Sequence, residues 1–268
     1  AFEDGLGGFV PRMPNDIYEK RYGDCKDMSC LLHKLLDLAG LDARICWIGT
    51  RDIPYTYSEV PTPASDNHMI ATIIVDGKRY FIDGTCAYCA FDMPSSFTQG
   101  KEALISLGKD KFLVEKVPVM PKEFTVISDS VYLSIAGKEL IGEGKVTYKG
   151  YAKVDVMYSY YSMSSRLTNE EKLKAFIQRG NNKITVDYAR ANNFDNSDSV
   201  FTIWYKFRLP DYVTFVGNEI YLNMNLEKVF DQYKHDLSTL DVDIDNEFAY
   251  TIKNVVILKA PDSTSVEY

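Results

Sequence analysis

One cysteine stands where a helix is predicted to begin, and its position favours a reactive thiol. Residues 22–27 are Tyr-Gly-Asp-Cys-Lys-Asp. Asp24 is suited to cap the helix, and Asp27, three residues later, completes a capping box. Cys25 then occupies the first helical position, where the helix dipole and unpaired backbone N–H groups lower a thiol pKa and can hold an oxyanion. The alternative is a buried cysteine that opens an amphipathic helix.

A thiolate nucleophile needs a base, and the chain contains three histidines. His33 lies on the same predicted helix, about 12 Å from Cys25 at 1.5 Å per residue, and we expect it to face solvent near Asp37. His235 belongs to a polar stretch that is typical of a surface. His68 is therefore the candidate base.

A predicted hairpin gives this histidine a carboxylate neighbour. Asp76-Gly77 separates the predicted strands 68–75 and 78–83, and this dipeptide favours a two-residue type I′ turn. In that register Asp83 is the diagonal neighbour of His68 on one face of the hairpin. A carboxylate there orients an imidazole and stabilises its protonated form. The alternative is an ordinary turn aspartate at a strand end.

The elements around these residues predict an α+β fold in two domains. The first combines a helix over 25–39, which Gly40 ends, with a strand over 43–48 and the hairpin. Two prolines in 117–121 disfavour regular structure, and we place the linker there. The predicted domains are 1–117 and 122–268.

The second domain is predicted to be β-sandwich-like with one helix. The helix covers 169–178, with Thr168 and Glu171 forming a capping box. The predicted strands are 124–134, 142–148, 152–160, 183–188, 199–207 and 248–258.

Composition and charge exclude several classes of function. Of the 268 residues, 46% are hydrophobic and 25% charged, which is typical of a globular protein. Apolar runs are strand-sized, so no membrane span is expected. The net charge is −8 and basic residues are not clustered, so nucleic acid is not an expected partner. The sequence indicates no oligomeric state.

Three ordered motifs resemble the transglutaminase-like superfamily. They are the motif at 22–27, Asn67-His68 at the start of a strand, and Tyr-Phe-Ile-Asp-Gly-Thr at 80–85. The chain is most similar to the bacterial branch, in which a papain-like core precedes a β-rich domain. Members of that branch carry a further β domain before the core. The resemblance thus leads us to expect a fragment of a longer protein and an extracytoplasmic location, in the periplasm or cell envelope.

The resemblance implies a thiol enzyme that acts on amide bonds. It makes Cys25 the nucleophile, His68 the base and Asp83 the orienting residue, and it implies neither a metal nor an organic cofactor. The expected substrate is a peptide or protein, with hydrolysis as in a cysteine peptidase preferred over acyl transfer as in a transglutaminase. A second oxyanion donor is left open between Tyr18 and Trp47. The alternative from another class is a non-catalytic binding or scaffold module of the cell envelope.

The remaining cysteines give weaker signals. Cys86 and Cys89 have C-x-x-C spacing, but a zinc site needs about four ligands and no second pair completes one. A structural or incidental role is preferred for the pair, and a local disulfide is the next alternative. Cys30 and Cys46 are expected to pack in a core.

Two patterns in the second domain also have ordinary explanations. Tyr158, Tyr160 and Tyr161 do not share one strand face, so they imply no single binding platform. The acidic run 241–246 lacks the glycine and closing glutamate of an EF-hand loop, which favours a solvated strand or turn.

Overall fold

The chain folds into two compact units. The structure is a computed structural model that describes residues 8–192, 200–228, 245–262 and 264–265. Unit 1 comprises Ala1–Pro121 with Glu247–Ala249, and unit 2 comprises Lys122–Asn246 with Tyr250–Tyr268. The three residues from the distant part of the chain were not anticipated in the predicted first domain. The described residues are mostly sheet, with four α-helices, as expected for an α+β protein.

Unit 1 contains two helices and one antiparallel sheet. The elements are α1 (Pro14–Lys20), α2 (Cys25–Leu38), β1 (Ala43–Ile48), β2 (His68–Val75), β3 (Lys78–Ile82), β4 (Glu102–Ser106) and β5 (Phe112–Lys116). The strand order is β3-β2-β1-β4-β5. The strand that begins with His68 therefore lies inside the sheet, between β3 and β1.

Two predicted features of unit 1 are confirmed, the two-residue hairpin turn and the glycine that ends α2. Val75 pairs with Lys78, so Asp76 and Gly77 are the two loop residues. Both have positive φ, 50° and 77°, as a type I′ turn requires. Gly40, with φ 78°, lies just beyond α2, where a left-handed residue ends the helix at little steric cost.

Both faces of the unit 1 sheet are covered, since Met69, Ile70, Ala71 and Ile73 on β2 are all buried. One buried cluster consists of Cys46, Ile48, Ile70, Phe81, Ala103, Ile105 and Val117. Helix α2 contacts β2, where the Ser29 hydroxyl donates to the carbonyl of Met69 at 2.8 Å. The apolar face of α2 is only partly buried, because Leu35 is 50% exposed.

Unit 2 is built on a second five-stranded sheet. Its elements are β6 (Val126–Ala136), β7 (Glu139–Lys149), α3 (Tyr151–Ser162), α4 (Asn169–Lys174), β8 (Thr185–Ala191), β9 (Phe201–Leu209), β10 (Thr214–Val216), β11 (Glu219–Tyr221) and β12 (Thr251–Lys259). The sheet order is β12-β6-β7-β9-β8, while β10 and β11 form a separate hairpin. Strand β12 runs parallel to β6, and the other neighbours are antiparallel.

Two predictions for unit 2 were wrong. Residues 152–160 form most of helix α3 and not a strand, although they are rich in tyrosine and valine. Gly150, with φ 63°, separates the helix from β7, and an added Cβ would lie 2.6 Å from the carbonyl of Phe124. The described part of unit 2 also contains one large sheet and two helices, where two facing sheets and one helix were predicted. Because residues 152–160 are helical, the predicted sandwich lacks one of its strands.

Other boundaries in unit 2 differ by a few residues. The predicted helix 169–178 ends earlier, at Lys174, but the capping box of Thr168 and Glu171 is confirmed. No helix in the described part of the chain is long and apolar enough to cross a membrane.

Candidate active site

Cys25 is the first residue of α2, as the capping pattern predicted. The Asp24 carboxylate accepts the backbone N–H groups of Lys26 and Asp27 at 3.0 and 3.1 Å. The Asp27 carboxylate accepts the Asp24 N–H in return at 3.2 Å. This reciprocal capping fixes where the helix starts. It therefore also fixes the backbone position from which the half-buried Cys25 side chain extends.

The first turn of α2 is anchored a second time by an arginine that sequence analysis missed. The backbone N–H and the Nε of Arg12 each donate to the Asp27 carboxylate at 2.8 Å. Burial opposes ionisation of Asp27, but these bonds outweigh it and lower the pKa of the carboxyl. Gly23 is needed here, because an added Cβ would lie 2.5 Å from the Asp27 Cβ. A carboxylate after the nucleophile was visible in sequence, but its distant partner was not.

His68 opens β2, and its side chain lies near enough to the Cys25 thiol to lower the pKa of that thiol. The backbone of Met69 acts on the pKa of Cys25 in the same direction. Because Ser29 of α2 bonds the carbonyl of Met69, the helix and the strand are joined within one turn of the thiol. The nucleophile and the candidate base are therefore held by two elements that pack directly on each other.

Asp83 follows β3 and completes the constellation. Its Oδ2 lies 2.8 Å from Nε2 of His68, and both side chains are buried. Since Nε2 faces Asp83, Nδ1 is the ring nitrogen that remains for Cys25. Oδ1 of Asp83 accepts the Thr85 hydroxyl at 2.6 Å and the Thr85 N–H at 2.9 Å. The structure thus brings all three predicted site residues together.

A phenylalanine holds the imidazole from another side. The Phe97 ring meets the His68 ring edge-on, with centroids 5.2 Å apart. The carbonyl of Phe97 accepts the Arg51 N–H at 2.8 Å, which ties this loop to the chain leaving β1. No sequence signal marked Phe97, because its approach depends on the path of a long connection.

The electrostatics of the site favour a thiolate beside an imidazolium. Burial raises the pKa of the Cys25 thiol, but the hydrogen bond and charge of His68 outweigh it, so the pKa is lowered. Burial likewise opposes charging of His68, yet Asp83 and Cys25 raise its pKa to about 9. Burial opposes ionisation of Asp83 as well, and its bonds to His68 and Thr85 lower its pKa. The directions of these three shifts all favour the charged forms of the side chains.

The other free thiols differ from Cys25. Burial raises the pKa of Cys46 to about 12, and it raises the pKa of the half-buried Cys30. Nucleophilic character is thus concentrated at Cys25 among the described free cysteines.

The start of α2 offers fewer N–H groups to an oxyanion than the sequence predicted. Asp24 occupies the N–H groups of Lys26 and Asp27, so these are not available to an oxyanion. Within the described part of the chain the N–H of Cys25 makes no hydrogen bond, so it is the remaining donor at this helix start. Of the two candidates for a second donor, Trp47 lies opposite Met69 in the sheet, whereas Tyr18 is 68% exposed.

The C-x-x-C pair forms a disulfide between Cys86 and Cys89, with Cα atoms 5.5 Å apart. This was the second choice in the sequence analysis. Its proximity in sequence to Asp83 places it on the turn that carries the orienting residue.

The discounted residues lie elsewhere. His33 is half-buried on α2, and Asp37 pairs with Lys34 at 3.1 Å. The tyrosines Tyr158, Tyr160 and Tyr161 are on helix α3 and not on a strand. His235 and most of the acidic run 241–246 lie outside the described residues.

No family model, curated protein or solved structure was found to match the chain.

Proposed function

We propose that this chain is a thiol enzyme that cleaves amide bonds in peptides or proteins. One observation carries the proposal: the His68 ring is hydrogen-bonded to the buried Asp83 carboxylate and lies near enough to the Cys25 thiol to lower its pKa. A nucleophile, a base and an orienting acid in this relation form the arrangement that activates nucleophiles for acyl transfer.

The proposed reaction has two halves. The Cys25 thiolate attacks the acyl carbon, and the tetrahedral oxyanion is stabilised by the Cys25 N–H at the start of α2. As the C–N bond breaks, imidazolium His68 gives its proton to the leaving amine. Water then attacks the thioester while His68 takes its proton, and Cys25 leaves as the thiolate with the imidazole reprotonated. Asp83 stays ionised throughout and holds the ring.

The fold of unit 1 supports a papain-like, transglutaminase-like core. The nucleophile opens a helix, the base opens a strand that contacts this helix, and the acid follows the neighbouring strand. The three motifs that resemble the superfamily occupy these same positions. Hydrolysis is preferred over transfer to an amine, in line with the peptidase-like character of the bacterial branch that the sequence resembles.

The reactivity of Cys25 provides the first test. Iodoacetamide labelling of the Cys25 peptide is followed by mass spectrometry between about pH 5 and pH 8. We expect labelling to saturate well below the ordinary thiol pKa of about 8.5, and His68→Ala to move the profile up towards that value. An ordinary profile that His68→Ala leaves unchanged would rule the proposal out. Cys30 in the same digest is the internal control, since its pKa is raised.

Turnover provides the second test. Wild-type chain and Cys25→Ser are incubated with a peptide library and, separately, with a glutamine peptide plus a labelled amine. We expect new peptide termini that depend on Cys25. Amine incorporation without comparable hydrolysis would instead favour a transglutaminase, and neither reaction in a protein with an activated Cys25 would favour the scaffold alternative.

A further inference from the structure

The turn that follows β3 connects the orienting carboxylate to a disulfide. Asp83 uses Oδ2 for His68 and Oδ1 for both the hydroxyl and the N–H of Thr85. Its backbone carbonyl accepts the N–H of Cys86 at 3.1 Å. Among the described residues, the hydrogen bonds of Asp83 other than the one with His68 come from Thr85 and from Cys86, the first cysteine of the bridge.

Both sides of this turn are held. On one side Gly84 lies so close to α2 that an added Cβ would be 3.2 Å from the Cβ and the carbonyl oxygen of Met28. On the other side the Cys86–Cys89 disulfide closes a loop of four residues. Shortly after the bridge, the Phe91 ring packs on the Tyr80 ring of β3 at 4.9 Å. The orienting carboxylate thus lies on a turn that is fixed by a helix and by a covalent bond.

We propose that the Cys86–Cys89 disulfide is a positioning device for the Asp83–His68 pair, and that its reduction weakens the enzyme. This inference rests on the proposed function. Opening the bridge increases the number of conformations of residues 84–89, so the Asp83 carboxylate spends less time aligned with Nε2 of His68. Thr85 is the residue through which the bridge acts on the carboxylate.

The consequence is a site with two opposite redox requirements. Cys25 must be a reduced thiol to attack, whereas Cys86 and Cys89 must be oxidised to hold the turn. A dithiol reductant transfers two electrons and two protons to the bridge, which becomes two thiols, and is itself oxidised to a cyclic disulfide. Activity is therefore expected to pass through a maximum as the reductant is increased: mild reduction restores an oxidised Cys25, and stronger reduction opens the bridge.

The first measurement counts thiols in the full chain. Maleimide labelling of the unreduced, denatured protein should give three thiols, Cys25, Cys30 and Cys46, of the five cysteines in the sequence. Labelling after reduction should give five. Five thiols before reduction, in protein prepared without a reductant, would overturn the proposal.

The second measurement compares wild type with Cys86→Ser/Cys89→Ser across a dithiothreitol titration. Wild-type kcat should fall about tenfold at high dithiothreitol. The double variant should not show this fall, because its kcat should already be as low as that of the fully reduced wild type. We also expect the Cys25 labelling profile of the double variant to shift to higher pH, because the imidazolium loses part of its partner. If the disulfide only stabilised the fold, the pH profile of Cys25 labelling in the folded fraction would not shift. A double variant with wild-type kcat and profile would overturn the inference.

Thr85 supplies a matched pair of variants without touching the cysteines. Thr85→Val removes the hydroxyl that bonds Asp83 and should lower kcat and shift the Cys25 profile in the same direction. Thr85→Ser keeps the hydroxyl and should retain both. If Thr85→Val and Thr85→Ser behave alike, the path from the turn to Asp83 is wrong. Failure of the proposed function appears differently, as a Cys25 profile that does not depend on His68 in the wild-type background.

Discussion

Each unit of this protein buries a carboxylate against a basic group, but the two clusters differ in what their charges face. In unit 1 the buried Asp83 holds His68, and the other side of the imidazole faces the half-buried Cys25 thiol. In unit 2 the buried Asp129 bonds Arg179 at 2.9 Å, and Arg179 reaches Glu227 at 2.8 Å. The first cluster contains a nucleophile; the second does not.

The charged groups of the cluster in unit 2 contact each other and a tyrosine. The Tyr205 hydroxyl donates to Asp129 at 2.6 Å, and the Arg179 guanidinium lies over the Tyr205 ring. Burial opposes charging of Arg179, while Asp129 and Glu227 keep its pKa raised. An arginine does not exchange protons near neutral pH. Buried charge by itself therefore does not indicate chemistry; a group that titrates in the working range and touches a nucleophile does.

The largest effect is expected for Asp83→Asn, which separates the roles of charge and shape. Asparagine keeps the size of the side chain but cannot stabilise the imidazolium, so kcat/KM should fall about a hundredfold or more. Peptide hydrolysis measures the change, and circular dichroism should show an unchanged fold. Activity within a factor of two of wild type would show that His68 needs no orienting charge.

The next largest effect is expected for Arg179→Met in unit 2. It removes the Arg179 counter-ion from the buried Asp129 and the half-buried Glu227, and the free energy of unfolding should fall by about 3–5 kcal/mol. Urea denaturation followed by Trp204 fluorescence in a Trp47→Phe background reports on this unit, since the chain has two tryptophans. The labelling of Cys25 should not change in the folded protein. The control is Arg208→Met, which removes a partly exposed pair with Asp187 and should cost about 1 kcal/mol or less.

The pH dependence of stability should also distinguish the clusters. The His68 pKa is raised to about 9, above its unfolded value near 6.5. Its contribution is therefore complete below about pH 6.5 and is lost as the pH rises towards 9. The lowered pKa of Asp83 acts in the opposite sense: its contribution is present above about pH 4 and is lost in acid.

This pH effect is measured best in a Cys25→Ser background, because the lowered thiol pKa adds stability at alkaline pH and would offset the loss. The difference in unfolding free energy between Cys25→Ser and Cys25→Ser/His68→Ala should shrink by on the order of 1–3 kcal/mol from pH 6 to pH 9. Trp47 fluorescence in a Trp204→Phe chain reports on unit 1. A constant difference would mean that His68 is not stabilised as a cation.

The smallest effect is expected for Tyr205→Phe. The variant removes one donor to Asp129 but leaves the bond from Arg179. The free energy of unfolding should therefore be about 1–2 kcal/mol lower than in wild type. The same urea titration checks this value. A loss as large as that of Arg179→Met would mean that the hydroxyl, and not the guanidinium, is the main partner of Asp129.

Local rules predicted much of unit 1. The capping box placed Cys25 at the first residue of α2, and Asp76-Gly77 set the hairpin register that brings Asp83 beside His68. These features depend on residues a few positions apart, whose backbone geometry is determined by short-range sterics and hydrogen bonds. The bonds of Thr85 to Asp83 are equally local, although they were not predicted.

Helix α3 shows where local rules fail. Its tyrosines and valines have high strand propensity, which led to the wrong prediction of a strand over 152–160. Tyr151, Met157 and Tyr160 are buried, and the helix contacts β7. Burial against a sheet outweighed intrinsic preferences that differ by less than about 1 kcal/mol per residue.

The sequence by itself determined the helix start at Cys25, the candidate nucleophile, and the hairpin that pairs the histidine with the aspartate. Only the tertiary structure decided that α2 lies against β2, which brings His68 and Met69 near the Cys25 thiol. It also decided that Arg12 anchors Asp27 and that Phe97 contacts the imidazole. The physical reason is separation: capping and turn geometry act over three or four residues, whereas these contacts depend on how distant segments pack together.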